Sequence, residues 1–397
     1  MTADPRLHFR TPLLQTPFHA RTSAANVRND WGPWAGYTTS LTFEDEAMEY
    51  TAIRSTASVY DICPMVKYRI TGSEAVQYLN RLTVRDVGRL TVGGVHYTVW
   101  CDDQGKLIDD GTLFRLGDTE FRLCCQERHL PWLTDSAFGF DVQIEEVTEE
   151  IAALSLQGPC SFVVLREAGF DVASLKPFRI TTVPFKGGSL MISRTGFTGD
   201  LGYELWTSPD KALALWDLLF AAGRDYVIRP IGSNALNTAR LEAGFIVTNF
   251  DFIPSYQAVR EDRVRSPFEM GLDWLIDWKK GQFNGRRALL KERDGDTSRW
   301  ALVGLDIEGN ISAEGSLLYL DKKHEVGFIT GAAWSPTLKR NIALAQVERR
   351  HMSGDNLWVE IYALRELQYV KLMLRVTVTE RPFFYPERRR ATPPGRF

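Results

Sequence analysis

Two adjacent carboxylates, Asp109 and Asp110, interrupt a stretch that otherwise reads as a β-strand. The run Val95–Cys101 is β-prone, Asp102-Asp103-Gln104-Gly105 is a turn signal, and a second apolar run starts at Leu107 and resumes at Thr112-Leu113-Phe114. Neighbouring strand residues point to opposite faces, so one of the two acids should face inward. A carboxylate facing a core is costly unless something hydrogen-bonds it. The plain reading is a sheet-edge acid at a strand start, since acids are seldom buried; the chemical reading is a carboxylate held ready for use. Aromatic content is high, with 11 Trp, 13 Tyr and 22 Phe; most will fill the core, and some could line a flat-ligand pocket.

Composition narrows the class. The 397 residues have ample material for two or three domains, 24% of them charged and with a net charge of −3. That balance lacks the basic excess of a dedicated nucleic-acid binder. No apolar run approaches the length of a membrane span, and residues 1–30 lack the layout of a signal peptide, so a cytoplasmic location is expected. The five cysteines form no Cys-x-x-Cys pair and read as reduced thiols. The six histidines show no ligand spacing, so no metal is expected.

The elements that must position the candidates follow from periodicity. Residues 1–40 carry none and read as an irregular lead-in. Residues 43–53 are helical in pattern, residues 66–70 alternate as a strand, and Ser73 is expected to cap a helix running through Leu82. Strands are expected at 120–125, 140–147 and 151–156, the last running into Gln157-Gly158-Pro159 with the proline in a helical first turn. Two more, at 190–193 and 203–206, flank a glycine-rich turn. Helices follow at 211–222, stopped by Gly223, and at 233–243, stopped by Gly244. Residues 249–267 form the least regular stretch, and loops of this kind often carry function. Beyond Trp300 the texture changes to short strands at 302–307, 316–320, 342–347, 357–363 and 370–376, which suggests a small all-β domain. The basic run Arg388-Arg389-Arg390 reads as solvated.

Several segments in order resemble the glycine-cleavage T-protein (aminomethyltransferase) family. They are Arg54-Ser55-Thr56-Ala57-Ser58-Val59-Tyr60-Asp61, residues 97–110, Leu156-Gln157-Gly158-Pro159, and Arg194-Thr195-Gly196-Phe197-Thr198-Gly199 through Glu204. Arg240-Leu241-Glu242-Ala243-Gly244, Pro267-Phe268-Glu269-Met270-Gly271-Leu272, Gly285-Arg286-Arg287-Ala288-Leu289 and Trp334-Ser335-Pro336-Thr337-Leu338 through Ile342-Ala343-Leu344-Ala345 continue the series. The resemblance implies an α+β fold: a three-lobed, folate-binding ring with a C-terminal small β-barrel domain. Residues 41–290 would be the folate-binding catalytic region, of two interleaved α+β lobes, and 291–397 the barrel. It also implies tetrahydrofolate as cofactor, with Tyr97, Asp110, Phe197, Glu204 and Arg240 around it. Glu204 would accept the paired N–H donors of the pterin. Asp110 would be the catalytic carboxylate, stabilising positive charge that develops at the reactive folate nitrogens.

The departures lie elsewhere. Where the family has Gly-x-Arg-Asp before Arg-Leu-Glu-Ala-Gly, this chain has Asn234-Ala235-Leu236-Asn237; Cys63-Pro64 replaces Ser-His; and Val247-Thr248-Asn249-Phe250-Asp251-Phe252 opens a longer loop. Folate motifs thus survive better than those serving the aminomethyl group and its carrier. This pattern points to a tetrahydrofolate-dependent methyltransferase or demethylase taking a methyl group from a small S-, N- or O-methyl donor. Phe250, Phe252 and Tyr256 would then contribute to donor binding, and a lipoyl carrier protein is not expected as partner. Three alternatives stay open: an aminomethyltransferase proper, a non-catalytic folate-binding protein of iron–sulfur maintenance, and a detached partner of a flavin-linked oxidase. The second lacks its cysteine motif here, and the third would need a separate flavoprotein, since no Gly-x-Gly-x-x-Gly is present.

Overall fold

The computed structural model describes residues 12–354 and 356–395. Within the expected lead-in, residues 12–40 are ordered: α1 (His19–Ala25) is followed by the hairpin of β1 (Asp30–Trp34) and β2 (Tyr37–Thr42). Ala35 and Gly36 turn this hairpin with positive φ, and Phe18 is wholly buried against Trp216. The segment lacked periodicity because one anchor and a two-residue turn hold it, which is too little to repeat. Residues 1–11 lie outside the described residues.

α2 (Glu46–Ser55) starts at Asp45, whose side chain accepts from the Met48 N–H at 2.9 Å. Then come β3 (Ser58–Asp61), β4 (Val66–Thr71) and α3 (Ala75–Leu82). Ser73 does not cap α3; its hydroxyl turns to Asp141 at 2.5 Å, and Glu74 takes the cap position. The central hairpin forms as expected, β5 (Val95–Cys101) with β6 (Leu107–Arg115), followed by β7 (Glu120–Cys125), α4 (Leu130–Ser136) and β8 (Gln143–Glu146). These strands make a five-stranded sheet in the order β5-β6-β7-β4-β8.

A second sheet takes β9 (Ala152–Gln157), β10 (Ile180–Phe185), β11 (Gly188–Ser193), β12 (Gly202–Thr207) and β13 (Arg229–Pro230), in the order β10-β11-β12-β9-β3-β13. Its helices are α5 (Ser161–Glu167), α6 (Ala212–Ala222) and α7 (Ser233–Glu242). Pro159 sits ahead of α5 rather than in its first turn, because Cys160 is the cap. The two sheets share one apolar cluster: Val95, Phe114 and Cys124 from the first meet Tyr60, Ala153, Met191 and Trp206 from the second, closed by Ile53 of α2 and Ala235 and Ala239 of α7.

After α8 (Arg286–Gly295) come β14 (Trp300–Ile307), β15 (Leu317–Leu320), β16 (His324–Ser335), β17 (Arg340–Glu348), β18 (Leu357–Arg365) and β19 (Gln368–Thr379). They close as a barrel in the order β14-β17-β16-β15-β18-β19. The sequence pattern had missed β16. Gly327 and Gly331 weaken its alternation, and a bulge between Ile329 and Gly331 shifts its register.

One residue ties the three parts together. Glu242, fully buried at the end of α7, accepts from Arg54 of α2 at 2.8 Å and from the hydroxyls of Tyr50 and Ser335, both at 2.5 Å. The basic tail is not merely solvated either. Arg388 makes a two-pronged pair with Asp200 at 2.6 and 2.7 Å, and Arg389 lies over the ring of Phe245. Arg194 in turn donates to the Ala391 carbonyl at 2.7 Å, so the tail is clasped over the glycine-rich turn.

Candidate active site

Asp110 shares its strand face with Thr112 and Phe114, and that face meets the second sheet, where Phe114 lies edge-on to Trp206 at 5.4 Å. Tyr97 is paired in register with Thr112 on β5, and its hydroxyl donates to Asp110 Oδ2 at 2.9 Å. Asp110 is half-buried. Burial first, and the charge of Asp109 next, push its carboxyl up to about 7, against the opposing pull of the Tyr97 and Thr248 hydrogen bonds. A carboxyl in that range exchanges its proton near neutrality, so it can serve as acid or base as well as a fixed charge.

Asp109 faces the other way and is fully buried. Its compensation is complete. Oδ1 accepts from the backbone N–H of Asp110 at 2.8 Å and from the hydroxyl of Thr248, while Oδ2 accepts from the backbone of Glu127 at 3.3 Å and meets His129 Nε2 at 2.7 Å. The other ring nitrogen of His129 is 2.9 Å from the hydroxyl of Tyr256. Thr248 also reaches Asp110 Oδ1 at 3.2 Å, so one hydroxyl bridges the two carboxylates. Neither His129 nor Thr248 was singled out from the sequence. The signal was indirect: an inward acid demanded donors, and only the fold says which residues arrive. Asp109, Cys125 and His129 also bring three metal-capable atoms within 4.8 Å of one another. Both nitrogens of His129 and both oxygens of Asp109 are already hydrogen-bonded, and the Cys125 thiol donates to the Glu127 carbonyl at 3.2 Å, so the cluster is satisfied internally.

Glu204, on β12, stands across the two-sheet cluster and is half-buried. The Thr195 hydroxyl donates to its Oε2 at 2.5 Å and Ser193 approaches the same oxygen at 3.4 Å, which leaves Oε1 with no hydrogen bond among the described residues. Burial pushes this carboxyl up, and the two hydroxyls pull it back. The glycine turn before it is built around Gln157, whose amide bonds the carbonyls of Thr195 and Tyr203 at 3.2 and 3.3 Å and accepts from Thr198 at 3.0 Å. A Cβ on Gly196 or Gly202 would come within 2.1 or 2.0 Å of the Gln157 oxygen. These glycines make room for a side chain of the protein itself.

Two of the remaining candidates, Phe197 and Arg240, meet at Phe245. Phe197 stacks on Phe245 with ring centroids 5.5 Å apart. Arg240 is buried and committed: it pairs with Asp251 at 2.7 Å and also donates to the Phe245 carbonyl and the Asn237 side chain, at 3.1 and 2.8 Å. It braces the 249–265 loop to α7. In that loop Phe250 is exposed, Tyr256 is half-exposed with its hydroxyl on His129, and Phe252 is buried with Leu107, Met270 and Leu272. Phe252 is thus a core residue, while Phe250 and Tyr256 reach solvent. Where the family pattern lapses, Leu236 packs against the two-sheet cluster and Asn237 holds Arg240.

No helix among the described residues is long and apolar enough to cross a membrane. All five cysteines are free thiols.

Comparison with known proteins agrees with this architecture. Residues 18–280 match the model of the GCVT N-terminal domain, and residues 301–384 that of the glycine cleavage T-protein C-terminal barrel domain. An aminomethyltransferase of Halothermothrix orenii is 32% identical over 344 residues, which is 85% of this chain and 91% of that protein. One from Geobacillus kaustophilus is 33% identical over 347 residues, covering 85% and 90%. The crystal structure of glycine cleavage system aminomethyltransferase T from Bartonella henselae superimposes with a TM-score of 0.82 over 94% of this chain and 98% of that one, at 23% identity.

Proposed function

We propose a function from one premise: the chain belongs to the glycine cleavage T-protein family, whose one-carbon chemistry uses tetrahydrofolate. The protein is a tetrahydrofolate-dependent one-carbon transferase, and tetrahydrofolate, as acceptor, is one of its substrates. The donor set fits a pterin. Glu204 keeps one carboxylate oxygen free of hydrogen bonds, an acceptor left for a pterin N–H. The observation that carries the reading is Asp110: a carboxyl raised to about 7, anchored by Tyr97 and turned toward the opposing sheet. It takes up the proton that must leave the folate nitrogen when a new N–C bond forms, and as an anion it stabilises the positive charge that precedes this loss. Holding donor and acceptor in line supplies most of the remaining acceleration.

For the group transferred, the relatives' name supports aminomethyl. A methyl group from a small S-, N- or O-methyl donor is the second reading, and one observation favours it. The family's Arg-Asp pair on α7 is Leu236-Asn237 here, so the cluster between the sheets meets an apolar side chain where a charge would have engaged a polar donor. The raised carboxyl of Asp110 also makes a methyl ether admissible, since expelling an oxyanion needs a proton donor. The test is to incubate protein and tetrahydrofolate with sulfonium, N-methyl and methoxy compounds, and separately with an aminomethyl-lipoyl carrier, following folate products by mass. 5,10-Methylenetetrahydrofolate formed only with the carrier supports aminomethyl transfer; 5-methyltetrahydrofolate from a free donor supports the second reading. Failure of tetrahydrofolate to bind would overturn both.

A further inference from the structure

We propose that Thr248, Asp109, His129 and Tyr256 form a proton relay joining Asp110 to the exposed side of the 249–265 loop. The proposal rests on the reading of Asp110 as proton acceptor and adds what becomes of the proton. A carboxyl that takes up a proton in each turnover must release it before the next. Asp110 faces the opposing sheet, and folate and donor bound there would cover it on that side.

The geometry supplies another way out, with each link within hydrogen-bond reach. Thr248 Oγ is 3.2 Å from Asp110 Oδ1 and in closer contact with Asp109 Oδ1; Asp109 Oδ2 is 2.7 Å from His129 Nε2; His129 Nδ1 is 2.9 Å from the Tyr256 hydroxyl. Asp109 and His129 are wholly buried, Thr248 is 1% exposed and Tyr256 is 51% exposed, so the line runs from the interior to solvent. A hydroxyl has one proton and two acceptor sites. When Asp110 carries a proton on Oδ1, Thr248 can accept it while passing its own to Asp109. Asp109 receives that proton at Oδ1 as its Oδ2 proton passes to His129 Nε2, and the imidazole gives up the one at Nδ1 to Tyr256, whose own proton goes to water. Each step breaks one O–H or N–H bond and forms another, and nothing is oxidised or reduced. The line is set for this when the proton between Asp109 and His129 sits on Asp109 Oδ2, which places the ring proton on Nδ1, donated to the Tyr256 oxygen that also accepts from Gln257 at 3.1 Å.

The groups around this line keep it directional. Tyr97 of β5 holds the far oxygen of Asp110, and Cys125 and Glu127 lie at the end of β7 beside Asp109. Trp100 meets the His129 ring edge-on, and the backbone N–H of His129 is held by the Tyr68 hydroxyl. From the loop, Asp251 adds a charge near Tyr97 but is paired with Arg240 of α7. Among the described residues, no side chain other than Tyr256 takes a hydrogen bond from, or gives one to, His129 Nδ1.

The test needs no donor. The protein is complexed anaerobically with tetrahydrofolate, the pH is stepped with a photoacid, and the infrared band of the protonated Asp110 carboxyl, identified by its loss in Asp110→Asn, is followed in time. Thr248→Val should slow its appearance by about a hundredfold, the scale of positioned proton transfer, and Thr248→Ser should restore it. Tyr256→Phe should slow it at least about tenfold while the titration midpoint and folate affinity stay native. Native rates in both Thr248→Val and Tyr256→Phe would overturn the relay. Because Tyr256 is half-exposed, its variant keeps the test valid should Thr248→Val fail to fold. Failure of the underlying reading looks different: Asp110→Asn would transfer one-carbon units at full rate whatever the relay variants do.

Discussion

Replacing Asp110 with asparagine should make the protein more stable and the enzyme inactive, and the stability gain should depend on pH in a defined direction. The native carboxyl is carried from an ordinary 3.8 to about 7, chiefly by burial and then by the charge of Asp109. The folded chain thus binds this proton more tightly than the unfolded chain does. Between about pH 4 and pH 7 the native state holds the proton and the unfolded state does not, so stability falls as pH rises through that window and levels off above it. At about 1.4 kcal/mol per tenfold change in proton affinity, the strain of keeping Asp110 ionised is on the order of 4 kcal/mol above pH 7. Asparagine removes the charge and keeps the shape. Its oxygen can still accept from Tyr97, and its amide can donate to the oxygen of Thr248. The expected result is a variant that melts higher than the native protein at about pH 8.5 and at nearly the same temperature at about pH 4.5. The measurement is thermal unfolding of both proteins across that range, taken as a difference so that all other titrations cancel. A variant less stable at about pH 8.5, or a gain of equal size at both ends, would refute the account of Asp110 as a strained, charge-crowded carboxyl.

Three other outcomes follow from the same reasoning. Glu204→Ala should weaken tetrahydrofolate binding by roughly tenfold or more, the effect of losing a charge-assisted contact of about 1.5–3 kcal/mol, and calorimetric titration reads this directly. Glu242→Ala should instead destabilise the fold by roughly 3–5 kcal/mol, because it strands the buried Arg54 guanidinium; a denaturant midpoint unchanged from native would contradict the three-way junction. Phe252→Ala should cost about 3–5 kcal/mol as a core truncation while Phe250→Ala stays within about 0.5 kcal/mol, so only the exposed Phe250 is a clean probe of donor preference.

The readable part of this fold was the part written in short-range pattern. The hairpin around Asp102-Asp103-Gln104-Gly105, the helix stopped by Gly223 and most barrel strands follow from periods of two or 3.6 and from turn residues. What escaped the pattern was long-range. β1 and β2 are held by contacts rather than repetition, β16 hides behind two glycines, and Arg388 of the tail finds Asp200 from 188 residues away. At the site, the argument that one of Asp109 and Asp110 must face inward was purely local and named the pair. The partners that make it affordable, His129 and Thr248, are 20 and 139 residues from Asp109, beyond any spacing rule. The loop aromatics were grouped by type and neighbourhood alone. In the loop pinned at Asp251, Phe250 is exposed, Phe252 joins the core and Tyr256 meets His129, a difference no short-range pattern records.

The clasp of residues 388–392 over the glycine-rich turn has a consequence for the order in which the molecule can be finished. Domains assemble from the N-terminus as the chain is synthesised. The turn of residues 194–202 can find Gln157 early, but Asp200 and Arg194 have their tail partners only after nearly two hundred further residues have been made. Until then Asp200 faces Arg54 alone at 3.7 Å, and the ring of Phe245 lacks the Arg389 guanidinium laid over it. The wall that carries Phe197 and leads into Glu204 is thus among the last surfaces on the molecule to set. A chain ending before residue 388 would have all the strands of both sheets and of the barrel but no clasp over the wall that carries Phe197.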